Sequence, residues 1–128
     1  MSLKLPIWLW IGFGGFLGAI ARYTLGSILN QMHTKIPFGT LGVNVIGSFL
    51  VGVFTFVLLT KTHLPNELRF FLIVGFLGAF TTFSTFSLET YALYQSGQLI
   101  TSALNIFLNT TLSILGVIIG MYLSKLLI

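Results

Sequence analysis

Residues 38–60, FGTLGVNVIGSFLVGVFTFVLLT, contain no charged side chain and no alternation of apolar with polar residues. Crossing a hydrocarbon core as an α-helix takes about 20 predominantly apolar residues, and this stretch is long enough. Being hydrophobic on every side, it reads as a membrane helix and not as a barrel strand. The same reading extends outward in both directions. Upstream, residues 7–29 form an apolar stretch entered after Pro6 and interrupted only by Arg22. A polar turn from Asn30 to Pro37 joins the two. Downstream, Lys61 to Asn66 makes a loop in which Asn66 is expected to cap a helix and Glu67 to sit at its positive end. A third span covers 68–94, Gln95-Ser96-Gly97-Gln98 turns the chain, and a fourth span covers about 99–123. The expectation is an all-α membrane protein with four transmembrane helices.

Composition agrees. Of 128 residues, 55% are hydrophobic and 6% charged, where a soluble domain carries about 25% charged residues. So few charges cannot cover a globular surface in water. The length predicts one transmembrane domain over 1–128 with no separate soluble module. The first apolar run continues past the length of a signal peptide's core, so it reads as a retained helix. Without cysteine, disulfides and thiolate metal sites are excluded. The net charge of +4 comes from cations scattered singly as Lys4, Arg22, Lys35, Lys61, Arg69 and Lys125. With no basic run, nucleic acid is not an expected partner.

The fourteen glycines lie largely inside the spans. Gly14 with Gly18, and Gly116 with Gly120, form G-x-x-x-G pairs, which let helix backbones approach closely. Helix packing is their expected role. With the N-terminus inside, Lys4, Lys61, Arg69 and Lys125 lie on the cytoplasmic side, against Lys35 and Arg22. That excess is small for a rule that orients proteins by lysine and arginine, so both orientations are open to this chain. Two oppositely inserted copies would make an antiparallel dimer.

Polar residues at membrane depth carry the functional signal. Thr40, Asn44 and Ser48 recur every four positions and share one helix face, as do Thr101, Asn105, Asn109 and Ser113 in the fourth span. Two such stripes suggest a wet path, or hydrogen bonds that join helices. The third span holds Gly78-Ala79-Phe80-Thr81-Thr82-Phe83-Ser84-Thr85-Phe86-Ser87, with Thr81 at its centre. Threonine is stiff in a helix and its hydroxyl competes for the backbone, so the helix is expected to break near the bilayer midplane. Broken backbone at that depth needs protein or a wet cavity around it, and freed carbonyls there bind ions. Hydroxyls that simply bond back to the preceding turn are the alternative. Phe83 and Phe86, three apart, share a face, and the positive edge of a phenyl ring can solvate a small anion. Arg22 and Glu89 are ionisable residues within spans. Arg22 either raises the potential of a vestibule or snorkels to the interface. Glu89 either pairs with Arg22 or anchors hydroxyls.

Three segments together resemble one family: Gly15-x-x-Gly18-Ala19-x-x-Arg22-Tyr23, Gly39-Thr40-Leu41-x-Val43-Asn44-x-x-Gly47-Ser48-Phe49, and Gly75-x-x-Gly78-x-x-Thr81-Thr82-Phe83-Ser84-Thr85-Phe86. They are similar to the CrcB/Fluc fluoride channels, and the similarity covers essentially the whole chain. In the fourth span only the polar face matches. The resemblance implies a dual-topology antiparallel homodimer in the inner (plasma) membrane, with two fluoride pores. Phe83, Phe86 and Asn44 would line them, with Ser84, Thr85, Asn105, Asn109 and Ser113 on the polar track. Arg22, Thr40 and Glu89 would form or support a vestibule. The backbone carbonyls of Gly78 and Thr81, paired with those of the second copy, would hold a structural sodium ion at the dimer axis. Sodium is a hard cation suited to oxygen ligands, and matched replacement of fluoride's hydration by donors is the usual logic of channel selectivity. An inside-negative potential drives an anion outward by about 2.3 kcal/mol per 100 mV, so passive export suffices.

Other classes are less well served. A small dual-topology proton-coupled exporter needs a titrating acid within the membrane, and the first span has none. For a membrane enzyme, His33 and His63 fall in different loops and no helix carries a pair of metal ligands. A passive scaffold needs only the glycine pairs and the polar stripes.

Overall fold

Pro6, Pro37 and Pro65, the chain's three prolines, each stand immediately before a helix. Proline fixes φ and lacks an N–H, which a helix start does not need and a helix interior does. The computed structural model describes residues 4–32, 34–61 and 63–128. Within them α1 is Ile7–Asn30 and α2 is Phe38–Thr60, one residue longer than expected and as expected, respectively. The third rod starts at residue 66 as α3 (66–80), whose stretch Phe70–Leu77 is wound as a π-helix. It is followed by α4 (Phe83–Gln95) and α5 (Leu99–Leu127).

The expected Asn66 cap is not made. Pro65 holds the N-cap position without a side-chain bond, and Asn66 is the first helical residue, with Glu67 in the first turn. The fourth rod also runs a turn beyond residue 123, to Leu127. No glycine or proline stops it there, and Lys125 in the last turn complements the negative helix end. Between α4 and α5 the chain reverses through Gly97 at φ 79°, a left-handed conformation that suits glycine. Gln98 N–H donates to Leu93 O (2.9 Å) and Gly97 N–H to Tyr94 O (3.0 Å), so the carbonyls at the end of α4 are satisfied before the turn.

Glycines set the packing. Gly14 and Gly18 of α1 lie against the backbone of α3 at Phe71, Gly75 and Phe76, where a Cβ would meet main-chain atoms. Gly116 and Gly120 of α5 face Val45 and Phe49 of α2 in the same way, and Gly52 of α2 faces Val117 of α5. Both G-x-x-x-G pairs therefore serve close approach, and α1–α3 and α2–α5 are the two most extensive helix contacts.

The fold is inverted relative to a water-soluble protein. Thr40, Thr82, Ser102, Asn105, Asn109 and Ser124 are buried, while Phe13, Phe16, Phe107, Ile114, Ile118 and many other large apolar residues point outward. A small apolar cluster of Val43, Leu77 and Phe80 sits where α2 meets α3. Three rods (38–60, 66–95 taken across its break, and 99–127) are long and apolar enough to cross a membrane. With apolar outer faces on such rods, the chain is a multi-pass membrane protein. α1 is also long enough at 24 residues, and it carries Arg22 within its length.

Candidate functional site

Two residues separate α3 from α4. Thr81 (φ −86°, ψ 156°) and Thr82 (φ −149°, ψ 120°) are extended, so helical backbone ends at Phe80 and restarts at Phe83. Local hydroxyl chemistry explains the restart. Thr82 Oγ1 accepts from Thr85 N–H (3.1 Å) and caps α4, while its own hydroxyl donates to Thr85 Oγ1 (3.1 Å). On the other side, Thr81 N–H and Thr81 Oγ1 both donate to Leu77 O (3.0 Å each) and close the last turn of α3. Other hydroxyls bond back along their own helix, as Ser87 does to Phe83 O (2.9 Å) and Thr90 to Phe86 O (2.7 Å).

Thr82 is only 7% exposed, so its main-chain groups need partners from protein. Asn44 of α2 supplies both. Thr82 N–H donates to Asn44 Oδ1 (2.8 Å), and Asn44 Nδ2 donates to Thr82 O (3.0 Å). The side-chain amide thus pairs with the break as a neighbouring strand would. One consequence falls on α3. In a continuing helix Thr82 N–H would donate to the carbonyl of Gly78, and here it is turned to Asn44 instead. The Gly78 carbonyl therefore lacks its helical partner, and that of Thr81 lies between the two ladders. Oxygens of this kind at a helix C-terminus carry partial negative charge and suit a hard cation.

Asn44 also reaches α5. Its Nδ2 donates to Asn109 Oδ1 (3.0 Å), Asn109 Nδ2 donates to Asn105 Oδ1 (3.0 Å) and Asn105 O (3.1 Å), and Asn105 Nδ2 donates to Thr90 Oγ1 (2.9 Å). Ser102 adds a bond to Thr90 O (2.9 Å). The two stripes read from the sequence therefore meet through Asn44 and Asn109. Asn105 is fully buried at 0% exposure, behind the open surface.

Two cavities flank the break, and Thr82 lines both. One, of about 380 Å³, lies between α2, the break and α5, with Asn44, Ser48, Phe83, Phe86, Asn109 and Ser113 on its walls. Phe83 and Phe86 meet edge to face, with centroids 5.3 Å apart and planes at 61°. Phe86 is buried, whereas Phe83 is 80% exposed and projects from the chain. The second cavity, of about 320 Å³, gathers Arg22, Asn30, Thr40, Thr85 and Glu89. Glu89 Oε1 accepts from the Thr40 hydroxyl (2.8 Å), and Oε2 is buried without a hydrogen-bond partner among the described residues. Of the two roles open to Glu89, hydroxyl anchoring is the one present; Arg22 shares its cavity without forming an ion pair with it.

The structure thus brings Phe83, Phe86, Asn44, Asn109 and Ser113 to one groove, and Arg22, Thr40, Thr85 and Glu89 to another. Ser84 is exposed at the start of α4, its hydroxyl 3.4 Å from that of Thr82. Sequence reasoning missed Thr82 as the hinge of the site and Thr90 as the end of the asparagine chain. Thr82 stood in the quoted run, and Thr90 lies one turn beyond Phe86 on the same face, which was the available signal. His33 lies outside the described residues, and among those described no three potential metal-ligating side chains converge.

Comparison with known proteins finds the profile of the family described as "CrcB-like protein, Camphor Resistance (CrcB)" matching residues 9–121. A protein of Saccharophagus degradans is 44% identical over 127 residues, 99% of this chain and 96% of its own length. One of Ruminiclostridium cellulolyticum is 42% identical over 116 residues (90% and 89%). Another, of Hahella chejuensis, is 41% identical over 127 residues (98% and 100%). Each of the three is named "Fluoride-specific ion channel FluC".

Proposed function

The chain belongs to the CrcB-like family, and from that premise we propose that it is a fluoride-selective ion channel through which fluoride leaves the cytoplasm passively. The observation that carries this reading is the groove at the break. There two phenyl rings meet edge to face beside hydroxyls and amides, and no fixed charge lines the wall. A phenyl edge and a hydroxyl both turn a positive pole toward an anion, yet neither holds it with full charge. Such a site replaces hydration without trapping the ion, as conduction requires.

In this reading Phe83, Phe86, Asn44, Asn109 and Ser113 border the path, and Ser84 and Thr85 continue it along α4. Asn105 supports it from behind. Arg22, Thr40 and Glu89 belong to the vestibule, where the guanidinium favours anions. α1 is the fourth membrane span, and residues 1–128 act as one transmembrane domain with the break near the bilayer midplane, in the inner (plasma) membrane.

The working unit is an antiparallel dual-topology homodimer with two pores. The outward projection of Phe83 at 80% exposure supports this, since a pore-lining ring needs a second wall that one chain does not supply. A structural sodium ion is the proposed companion. The carbonyls of Gly78 and Thr81 would hold it, together with the same groups of the second copy. Its charge would stabilise converging carbonyl oxygens, and it takes no part in conduction.

Efflux from liposomes, followed with fluoride- and chloride-selective electrodes, tests the reading. Fast fluoride release with negligible chloride release is expected. Silence for both ions from a folded, correctly assembled protein refutes it. A proton-coupled exporter is the alternative reading. It would need release that follows an imposed pH gradient.

A further inference from the structure

We propose that Thr90, Asn105 and Asn109 are positioning residues, a one-way chain of hydrogen bonds that reinforces the orientation Thr82 imposes on Asn44 at the break between α3 and α4. A side-chain amide can be turned end for end, exchanging its donor and its acceptor. Here no amide has that freedom, because main-chain groups of fixed character stand at both ends. Thr82 N–H can only donate, so Asn44 Oδ1 must face it (2.8 Å), and Thr82 O can only accept, so Asn44 Nδ2 must face that (3.0 Å).

The remaining hydrogen of Asn44 Nδ2 then requires an acceptor at Asn109, which is Oδ1 (3.0 Å). Asn109 must in consequence present Nδ2 to Asn105. It meets there the main-chain carbonyl of Asn105 (3.1 Å), which again only accepts, and Asn105 Oδ1 (3.0 Å). Asn105 Nδ2 is left facing the Thr90 hydroxyl (2.9 Å). That hydroxyl accepts from it while giving its own hydrogen to Phe86 O (2.7 Å). Each link dictates the next, so the choice made at Phe86 and the choice made at Thr82 agree. Asn105 and Asn109 are 0% and 4% exposed, so water does not compete for these groups.

Both hydrogens of Asn44 Nδ2 are engaged in this arrangement, one by Thr82 and one by Asn109. Asn109 therefore adds a third bond to the two by which Thr82 clamps Asn44, and Thr90, on a different helix, reaches Asn44 through Asn105 and Asn109. The relay itself is independent of the transported ion. Its effect on transport rests on the fluoride-channel reading above.

The test uses the full chain labelled with ¹⁵N in asparagine side chains, in nanodiscs, with hydrogen exchange of each amide followed by NMR. In the unmodified chain, Asn44 and Asn109 amides are expected to exchange more slowly than those of the exposed Asn30 and Asn66. In Thr90→Val, which keeps shape and removes the hydroxyl, exchange at Asn44 should rise about fivefold, the loss expected for one hydrogen bond. Thr90→Ser should restore the unmodified rates. A Thr90→Val protein that perturbs Asn105 alone and leaves Asn109 and Asn44 unmoved overturns the relay. Exchange at Asn44 as fast as at Asn66 in the unmodified chain also overturns it, whether or not the variant folds. If the amide signals move and fluoride efflux does not, the relay stands and the role of Asn44 in transport falls.

Discussion

Replacing Asn44 with alanine removes three hydrogen bonds at once: two to the main chain of Thr82 and one to Asn109. Side-chain hydrogen bonds within membrane proteins average about 0.6 kcal/mol each, which sets a lower estimate near 2 kcal/mol for the three. That average supposes that the groups left behind find other partners. Thr82 is 7% exposed, and the two residues of extended backbone keep its N–H from the carbonyl of Gly78. Leaving that N–H and C=O unsatisfied costs about 1–3 kcal/mol each, so the pair raises the estimate to about 6 kcal/mol. Burial favours the upper half of that range. Reversible unfolding in mixed micelles titrated with SDS measures the change in stability, and liposome efflux measures its consequence for transport. Fluoride efflux should fall steeply in the same variant. A loss below about 1 kcal/mol with efflux unchanged would show that Asn44 does not hold the break.

Phe86→Ile keeps an apolar side chain in a buried position, so stability should change by less than about 1.5 kcal/mol. Fluoride efflux should nonetheless collapse, because the positive ring edge is gone; unchanged flux in the electrode assay removes the ring from the path. Thr40→Val leaves both carboxyl oxygens of Glu89 without a donor among the described residues. Leaving a buried acceptor unsatisfied costs about 1–3 kcal/mol, and a loss of that order in the SDS titration is expected. Gly52→Leu forces a side chain into the Val117 carbonyl of α5. It should separate α2 from α5 and abolish assembly, seen as loss of the folded species in size-exclusion chromatography; a normal elution profile argues that the two helices are not in close contact there.

Much of the architecture was legible along the chain because a membrane helix must satisfy its backbone within one segment, so length and hydropathy suffice to locate it. α2 matches its expected bounds, and both G-x-x-x-G pairs lie where helix backbones approach. Misreadings came at helix ends. Asn66 has the chemistry of a cap, yet Pro65 takes the position, because proline already has a fixed φ suited to a helix start. The end of α5 was placed a turn early because falling hydropathy does not by itself unwind a helix.

The site divides in the same way. The crowding of hydroxyls from Thr81 to Ser87 singled out the stretch that interrupts the third rod, and the spacing of Phe83 and Phe86 put both rings on one face. These are local properties, settled by residues within a turn or two of each other. Spacing of four likewise aligned Asn105 with Asn109, but it could not say whether they faced a wet path or one another. That depended on which helix α5 meets and at what depth, fixed by glycines that bring α2 and α5 into contact. Only the assembled chain sets Asn44 opposite Thr82, 38 positions away, and Thr40 opposite Glu89, 49 positions away. Hydrogen bonds of that kind have no periodicity in the sequence. They arise when buried polar groups, denied water, must find partners across helices already held together by packing.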